Sequence, residues 1–310
     1  MRVITICQAD WCNVGYNVAK ALRIAGVEAE SFKTSKHNFG YEEESKVVSH
    51  DILRYEIQKA DIVFIMNSNT FCLELCKQLN KKNVYVYHTG TTYRRNPANM
   101  NEKFNPYIKR AFTDQTEFIG LGMKDEYYLF TPINTEDIQC EIKKPERKLK
   151  IAHYPSNAIV KGTPVIRNIF DELRRKYPVS VDCIIDEKQV LHPEQLDRMS
   201  ECDVYVELFA PLNEGNKYGC FGVTAVEAAS LGKIVVTNHT TPEVYERFYG
   251  TSTAFAIPQT EKELYDNLEN FILADRDDLL EMKIISRAWA EKYHSYKAYG
   301  EQLKKLLYLS

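Results

Sequence analysis

The sequence predicts two α/β domains, each a parallel sheet with helices on both faces. Three observations predict it. Short apolar runs alternate with segments of helical spacing through the first half of the chain. A charged, proline-containing stretch without periodicity, 141–148, then interrupts the pattern. After it the alternation restarts. Buried parallel strands are expected as short continuous apolar runs, and β-α-β-α order places helices over both faces of the sheet. At 310 residues the chain is long for one core and comfortable for two of roughly 150 residues.

In the first half, residues 3–7 read as a strand, 10–15 as a loop and 14–25 as a helix closed by Gly26. Strand 27–32, helix 50–60, buried strand 61–66, polar loop 67–70, helix 71–79 and strand 84–88 follow. The domains are expected at 1–135 and 151–290, with a linker at 136–150 and a last segment at 291–310. In the second half, 149–153 is a strand and 162–177 a helix stopped by Pro178. Next come strand 179–185, helix 193–200, strand 203–208, helix 221–231 and strand 233–238. Gly232 stands in the usual helix-stop position. From Asp275 onward the spacing is helical, and 284–307 reads as one final helix carrying Trp289, Tyr293 and Tyr296.

Hydrophobic residues make up 44% and charged residues 27%, the balance of a soluble globular protein. A net charge of −3 leaves no bulk positive charge to hold a nucleic acid backbone. No apolar run approaches the ~20 residues that span a bilayer, although lysines on the last helix leave a peripheral membrane contact open. The eight cysteines are scattered and none has C-x-x-C spacing, which argues against a zinc site. Cys72 and Cys76 stand one helical turn apart and read as small apolar residues on a helix face. No signal peptide precedes the strand-like opening. With free cysteines in apolar runs, this points to the reducing cytoplasm.

Three segments carry the chemistry. In 153–163, HYPSNAIVKGT, a strand passes into a helix whose start offers free N–H groups and a positive dipole end. Lys161 adds a full charge there, and Ser156 and Asn157 add donors, which together suit a diphosphate. In 218–232, YGCFGVTAVEAASLG, glycines open a helix, so phosphates can approach the backbone closely. Glu227 lies about one turn inside that small, apolar helix, where an unpartnered carboxylate is costly. Two ribose hydroxyls, a basic side chain or water would each satisfy it. In 88–95, HTGTTYRR, His88 at a strand end is able to bond a sugar hydroxyl, and Arg94 or Arg95 a phosphate or carboxylate. Tyr205, Tyr218 and Phe221 lie near the second segment as aromatic platforms for a sugar ring.

These segments resemble the glycosyltransferases group 1 family, retaining enzymes of the GT-B fold. The stretch 153–163 resembles its diphosphate-binding segment, and F-G-x-x-x-x-E-A-x-x-x-G-K at 221–233 its nucleotide-ribose segment. Residues 203–207, DVYVE, resemble the preceding strand, 88–94 an H-x-G-[ST]-x-x-R stretch of the first domain, and 132–135 the approach to the linker. The resemblance is clearest over 150–240. It implies two Rossmann-like domains facing a central cleft, the N-terminal one on the acceptor side and the C-terminal one binding the donor. It also implies a last helix that crosses back to the first domain.

The implied activity is transfer of a sugar, with retention, from a nucleotide-sugar such as a UDP- or GDP-sugar to a glycan, lipid-linked or small-molecule acceptor. No tightly bound cofactor and no metal is implied. Lys161 would bind the diphosphate, Glu227 the ribose hydroxyls, and His88 would lie near the transferred sugar, these three forming the catalytic set. Ser156, Asn157, Gly162, Gly219, Cys220, Phe221, Gly222 and Val223 would complete the donor site. Asp10, Asn13, Gly15, Thr91 and Arg94 would lie on the acceptor or phosphate side.

Two departures stand out. The family often has glutamates separated by seven residues; the second falls on Glu227, but the first falls on Gly219, with Glu214 out of register. An arginine common before the lysine is Ser156 here. The one D-x-D triplet, Asp275-Arg276-Asp277, sits at a helix start, where acids cap. An epimerase of the same fold and a noncatalytic nucleotide-sugar or glycan binder are the alternatives, and the oligomeric state is open.

Overall fold

The computed structural model describes residues 1–36, 39–210, 212–213, 216–217 and 219–308. The chain divides into two compact units. The first comprises Met1–Asn134, Arg247–Gly250 and Tyr293–Ser310, and the second Thr135–Glu246 and Thr251–Lys292.

In the first unit, the strands are β1 (Arg2–Cys7), β2 (Glu28–Lys33), β3 (Lys46–Val47), β4 (Ile62–Met66), β5 (Val84–His88), β6 (Ala111–Thr113) and β7 (Tyr127–Tyr128). They form one sheet in the order β3-β2-β1-β4-β5-β6-β7, every pair parallel. Its helices are α1 (Val14–Ile24), α2 (His50–Lys59), α3 (Thr70–Gln78), α4 (Gly90–Arg95) and α5 (Pro97–Phe104).

Strand side chains alternate between the two faces, and the core divides accordingly. Ile4, Ile6, Val63, Ile65, Val84 and Val86 pack on Leu53 and Ile57 of α2 and on Leu73 of α3. Val3, Phe64, Met66, Tyr85 and Tyr87 pack on the other side with Val18 and Leu22 of α1. The starts of α2 and α3 are capped by side chains. Ser49 Oγ accepts the Ile52 N–H at 3.3 Å and Asn69 Oδ1 the Cys72 N–H at 2.9 Å, each cap worth about 1 kcal/mol.

The second unit holds β8 (Leu149–His153), β9 (Val181–Ile185), β10 (Val204–Leu208) and β13 (Ile234–Thr237), with β11 (Leu212–Asn213) pairing β12 (Asn216–Lys217) as a separate two-stranded piece. The main sheet runs β13-β10-β8-β9, all parallel. Its helices include α6 (Thr163–Lys176), α7 (His192–Ser200), α8 (Val223–Ser230) and α10 (Glu261–Leu273). Ile166, Phe170 and Leu173 of α6 and Leu264 and Leu268 of α10 cover Ile151, Val204 and Val206 of the sheet. Residues 135–148 form no helix or strand and are tied to this unit. Arg287 donates to the Thr135 carbonyl at 2.8 Å, and Lys283 to that of Lys143 at 2.9 Å.

Two further helices, α9 (Pro242–Tyr249) and α11 (Arg276–His294), lead to α12 (Tyr296–Tyr308). The expected single helix over 284–307 is therefore two. Ser295 starts the second, its Oγ accepting the Ala298 N–H at 3.2 Å. As expected, α12 returns to the first unit, where Tyr299, Leu303 and Leu307 join the core of α1. Gly300 permits this approach, since a Cβ there would lie 2.1 Å from the Ala21 carbonyl oxygen. No helix of the described residues is long and apolar enough to cross a membrane.

Candidate functional site

The segments that the sequence singles out in the second unit follow β8 and β10, and β13 ends beside them at Thr237. After β8 the chain turns on Asn157, whose Oδ1 accepts the N–H groups of Ile159 (3.1 Å) and Val160 (3.0 Å). Asn157 thus shapes the loop, while Ser156 is exposed. Gly162 then enters α6 at φ +70°, and a Cβ would lie 1.8 Å from the Phe209 carbonyl oxygen, so only glycine fits. His153 locks the strand end. Its Nδ1 bonds the Val206 carbonyl at 2.7 Å, so that nitrogen carries the proton, and Nε2 accepts the Thr163 hydroxyl at 2.8 Å. Burial pushes its pKa down to about 4.

Held by this loop, Lys161 forms an ion pair with Glu207 of β10. The Glu207 side chain is fully buried, whereas that of Lys161 is 18% exposed. Thr237 donates its hydroxyl to Glu207 at 2.8 Å, Thr224 at 3.4 Å, and the Gly222 N–H at 3.5 Å. Gly222 is the cap of α8. Its φ of −93° suits any residue, but its space does not. A Cβ would stand 2.9 Å from Glu207 Oε1 and 3.4 Å from Lys161 Nζ. The glycine therefore lets an ammonium and a carboxylate lie against the first turn of α8.

Glu227 sits one turn further along α8 and is buried. Its Oε1 accepts from His192 Nε2 at 2.7 Å, so a basic partner answers the cost of burying it. Val223 is half-buried at the helix start. Phe221 is fully buried beside Phe255, Tyr245 and His239, which makes it a packing centre and not a platform for a ring. Tyr205 is buried too, as is Cys220. Gly219 has φ +102°, and a Cβ would lie 2.2 Å from Asn238 Nδ2. A glutamate there would be strained by that φ and would displace the Asn238 amide. Tyr218 and Glu214 lie outside the described residues. A hollow of about 470 Å³ opens beside the turn from β8 into α6, lined in part by Ile159, Gly162, Val165 and Phe209.

In the first unit most of the expected residues are tied into the fold. Asp10 is fully buried, and its carboxylate accepts the N–H groups of Gly15 (2.7 Å) and Tyr16 (2.9 Å) and the Ser45 hydroxyl (2.5 Å). It caps α1, and burial raises its pKa. Gly15 leaves room for that carboxylate, since a Cβ would be 3.2 Å from both oxygens. Asn13 donates to the Glu43 carbonyl at 2.8 Å.

His88 is fully buried, with Nδ1 bonded to Ser68 Oγ at 2.8 Å and its ring against Tyr93 and Phe104. Burial pushes its pKa down to about 3, which makes it a neutral core histidine. Arg94 pairs with Glu117 at 2.8 Å and bonds Gln115 at 3.0 Å. Thr91 is exposed on α4.

Sequence reasoning missed Glu207 and His192 as site residues. Glu207 carried a signal, a lone acid inside the apolar run Val204–Leu208; His192 carried none. Among the described residues, no group of three or more His, Cys, Asp or Glu side chains is placed to hold a metal ion. Asp275 Oδ1 accepts the Asp277 N–H at 2.7 Å, the capping role expected for that triplet.

No family model and no curated protein matches the sequence. Solved structures match its fold over whole chains. Anabaena HepE in complex with UDP-glucose superposes with a TM-score of 0.69 at 11% identity, covering 100% of both chains. An α-glucosyltransferase in complex with UDP and DNA containing a HMU base gives 0.69 at 12% identity, over 99% of each. Sucrose-phosphate synthase from Thermosynechococcus elongatus gives 0.60 at 11% identity, over 100% of this chain and 98% of that one. The chain has the GT-B glycosyltransferase fold. Within that fold, Lys161, Gly222 and Glu227 belong to the second Rossmann-like unit, and His88 and Arg94 to the first.

Proposed function

We propose that this GT-B chain is a glycosyltransferase that takes a sugar from a nucleotide-sugar donor, with retention at the anomeric carbon. One observation carries the reading. The Lys161 ammonium is held against Gly222 at the start of α8, with the Glu227 carboxylate one turn further along the same helix. An ammonium and a helix start suit a diphosphate, and a buried carboxylate at that remove suits ribose hydroxyls. Fold relatives bound to UDP or UDP-glucose support the same assignment. As the glycosidic bond breaks, negative charge grows on the leaving diphosphate. Lys161 and the first amides of α8 are positioned to stabilise it, and the protein adds the advantage of holding donor and acceptor together.

Glu227 orients the donor through its ribose, and His192 keeps that carboxylate aimed by occupying one oxygen. The donor's base is uracil or guanine, the acceptor a glycan, lipid-linked or small molecule, and the setting the cytoplasm. The test is a donor screen. Purified protein is mixed with UDP-, GDP-, ADP- and dTDP-sugars, with and without acceptors, and nucleotide release is followed. Acceptor-dependent release from one donor class is expected. Isomerisation of the donor alone would make the chain an epimerase. Nucleotide binding without turnover under any acceptor would make it a binder.

A further inference from the structure

Glu207 is the only acid on β10, an interior strand between β8 and β13, and the transfer reaction above gives it no role. A fully buried carboxylate is costly unless paired and hydrogen-bonded. Here four donors satisfy it, the Lys161 ammonium, the Thr224 and Thr237 hydroxyls and the Gly222 N–H. Two of them, Lys161 and the amide at the start of α8, are the groups assigned to the donor's diphosphate. Glu207 thus stands where a phosphate's partners converge and bonds them as a phosphate oxygen would. It is itself fixed, being fully buried and held by Thr237, whereas Lys161 is partly exposed on a flexible stem.

We propose that Glu207 is a built-in counter-anion that competes with the donor's diphosphate for Lys161. This rests on the donor-site reading. On binding, Lys161 turns toward the diphosphate; as the nucleoside diphosphate departs, it returns to Glu207. The carboxylate sets how tightly the product is held, and it stops the empty site from carrying an unpaired cation.

The test is calorimetric titration of the full chain with UDP, with GDP in parallel and uridine as the uncharged control. Glu207→Gln keeps the shape and removes the charge. It is expected to bind the nucleoside diphosphate about tenfold more tightly, because one like charge near the phosphates is gone, and to leave uridine binding unchanged. Thr237→Val removes one donor and keeps the charge, so Lys161 is held harder and UDP binding should weaken several-fold. This second variant reports on the proposal if the first fails to fold. A Glu207→Gln protein that binds UDP no better than wild type, or whose uridine binding shifts equally, overturns the proposal. If wild type binds and Lys161→Ala weakens binding while Glu207→Gln changes nothing, this inference alone falls. A wild type that binds neither UDP nor GDP removes the donor-site reading with it.

Discussion

At the scale of single residues, glycines and buried ionisable groups decide what the site can be. Gly219 occupies the position where the resembled family often has a glutamate, yet its positive φ strains any side chain there and the Asn238 amide would have to move. Gly219→Glu is therefore expected to destabilise the protein by about 2 kcal/mol or more, measured by urea unfolding, and to restore nothing in activity. The histidines give a second prediction. Burial lowers His88 and His294 to about 3 and His153 and His239 to about 4. The unfolded chain takes up those protons near pH 6.5, while the folded one resists until pH 3–4. The stability they contribute is thus fully present above pH 6.5 and lost as pH falls toward those values.

Asp114, raised by burial to about 6, acts oppositely; its contribution is present below its unfolded value and lost as pH rises through about 6. Asp10, also raised, has the same sign. Four groups outweigh two, so the thermal midpoint should fall between pH 6.5 and 4. A midpoint that holds or rises over that range would contradict the burial of these histidines. Residue placement was only partly legible. Lys161, Gly222 and Glu227 stood out because charge and glycine are rare beside apolar runs. His88 stood out for the same reason, but sequence does not tell a strand-end histidine that faces solvent from one roofed by Tyr93 and Phe104.

At the scale of elements, the long apolar runs declared themselves. Strand 84–88 and strand 149–153 were read to the residue, because short, mainly apolar stretches bounded by polar loops leave little choice. The short strands β3, β6 and β7 did not, being two or three residues long and set by pairing, not by local preference. The break at Ser295 also went unread, since neither proline nor glycine marks it and a serine cap serves instead. The return of α12 can be tested through Gly300. A valine there would meet the Ala21 carbonyl and push α12 off α1, opening the core around Leu22 and Leu303. Gly300→Val is expected to cost about 3 kcal/mol or more, read as a lower denaturant midpoint. An unchanged midpoint would mean that the contact is slack.

For the whole molecule, the α/β class and the two-unit organisation followed from an alternation that stops and restarts, and the GT-B architecture from the ordered motifs of the second half. The linker stretch, chosen for its charge, packs with the second unit because Arg287 and Lys283 claim its carbonyls. The proposed chemistry concentrates in that unit, where Lys161, Glu207, Gly222 and Glu227 lie near the carboxyl ends of a parallel sheet, the place where open α/β sheets bind ligands. The central claim is that this constellation binds and activates a nucleotide-sugar. Its most direct measurement is kcat/KM for the donor that the screen identifies, in wild type, Lys161→Ala and Glu227→Gln, with folding checked by thermal melts. Each variant is expected to lose about a hundredfold or more while remaining folded at the assay temperature, although Lys161→Ala should melt lower because it leaves the buried Glu207 without its cation. Folded variants that turn over donor at the wild-type rate would contradict the claim.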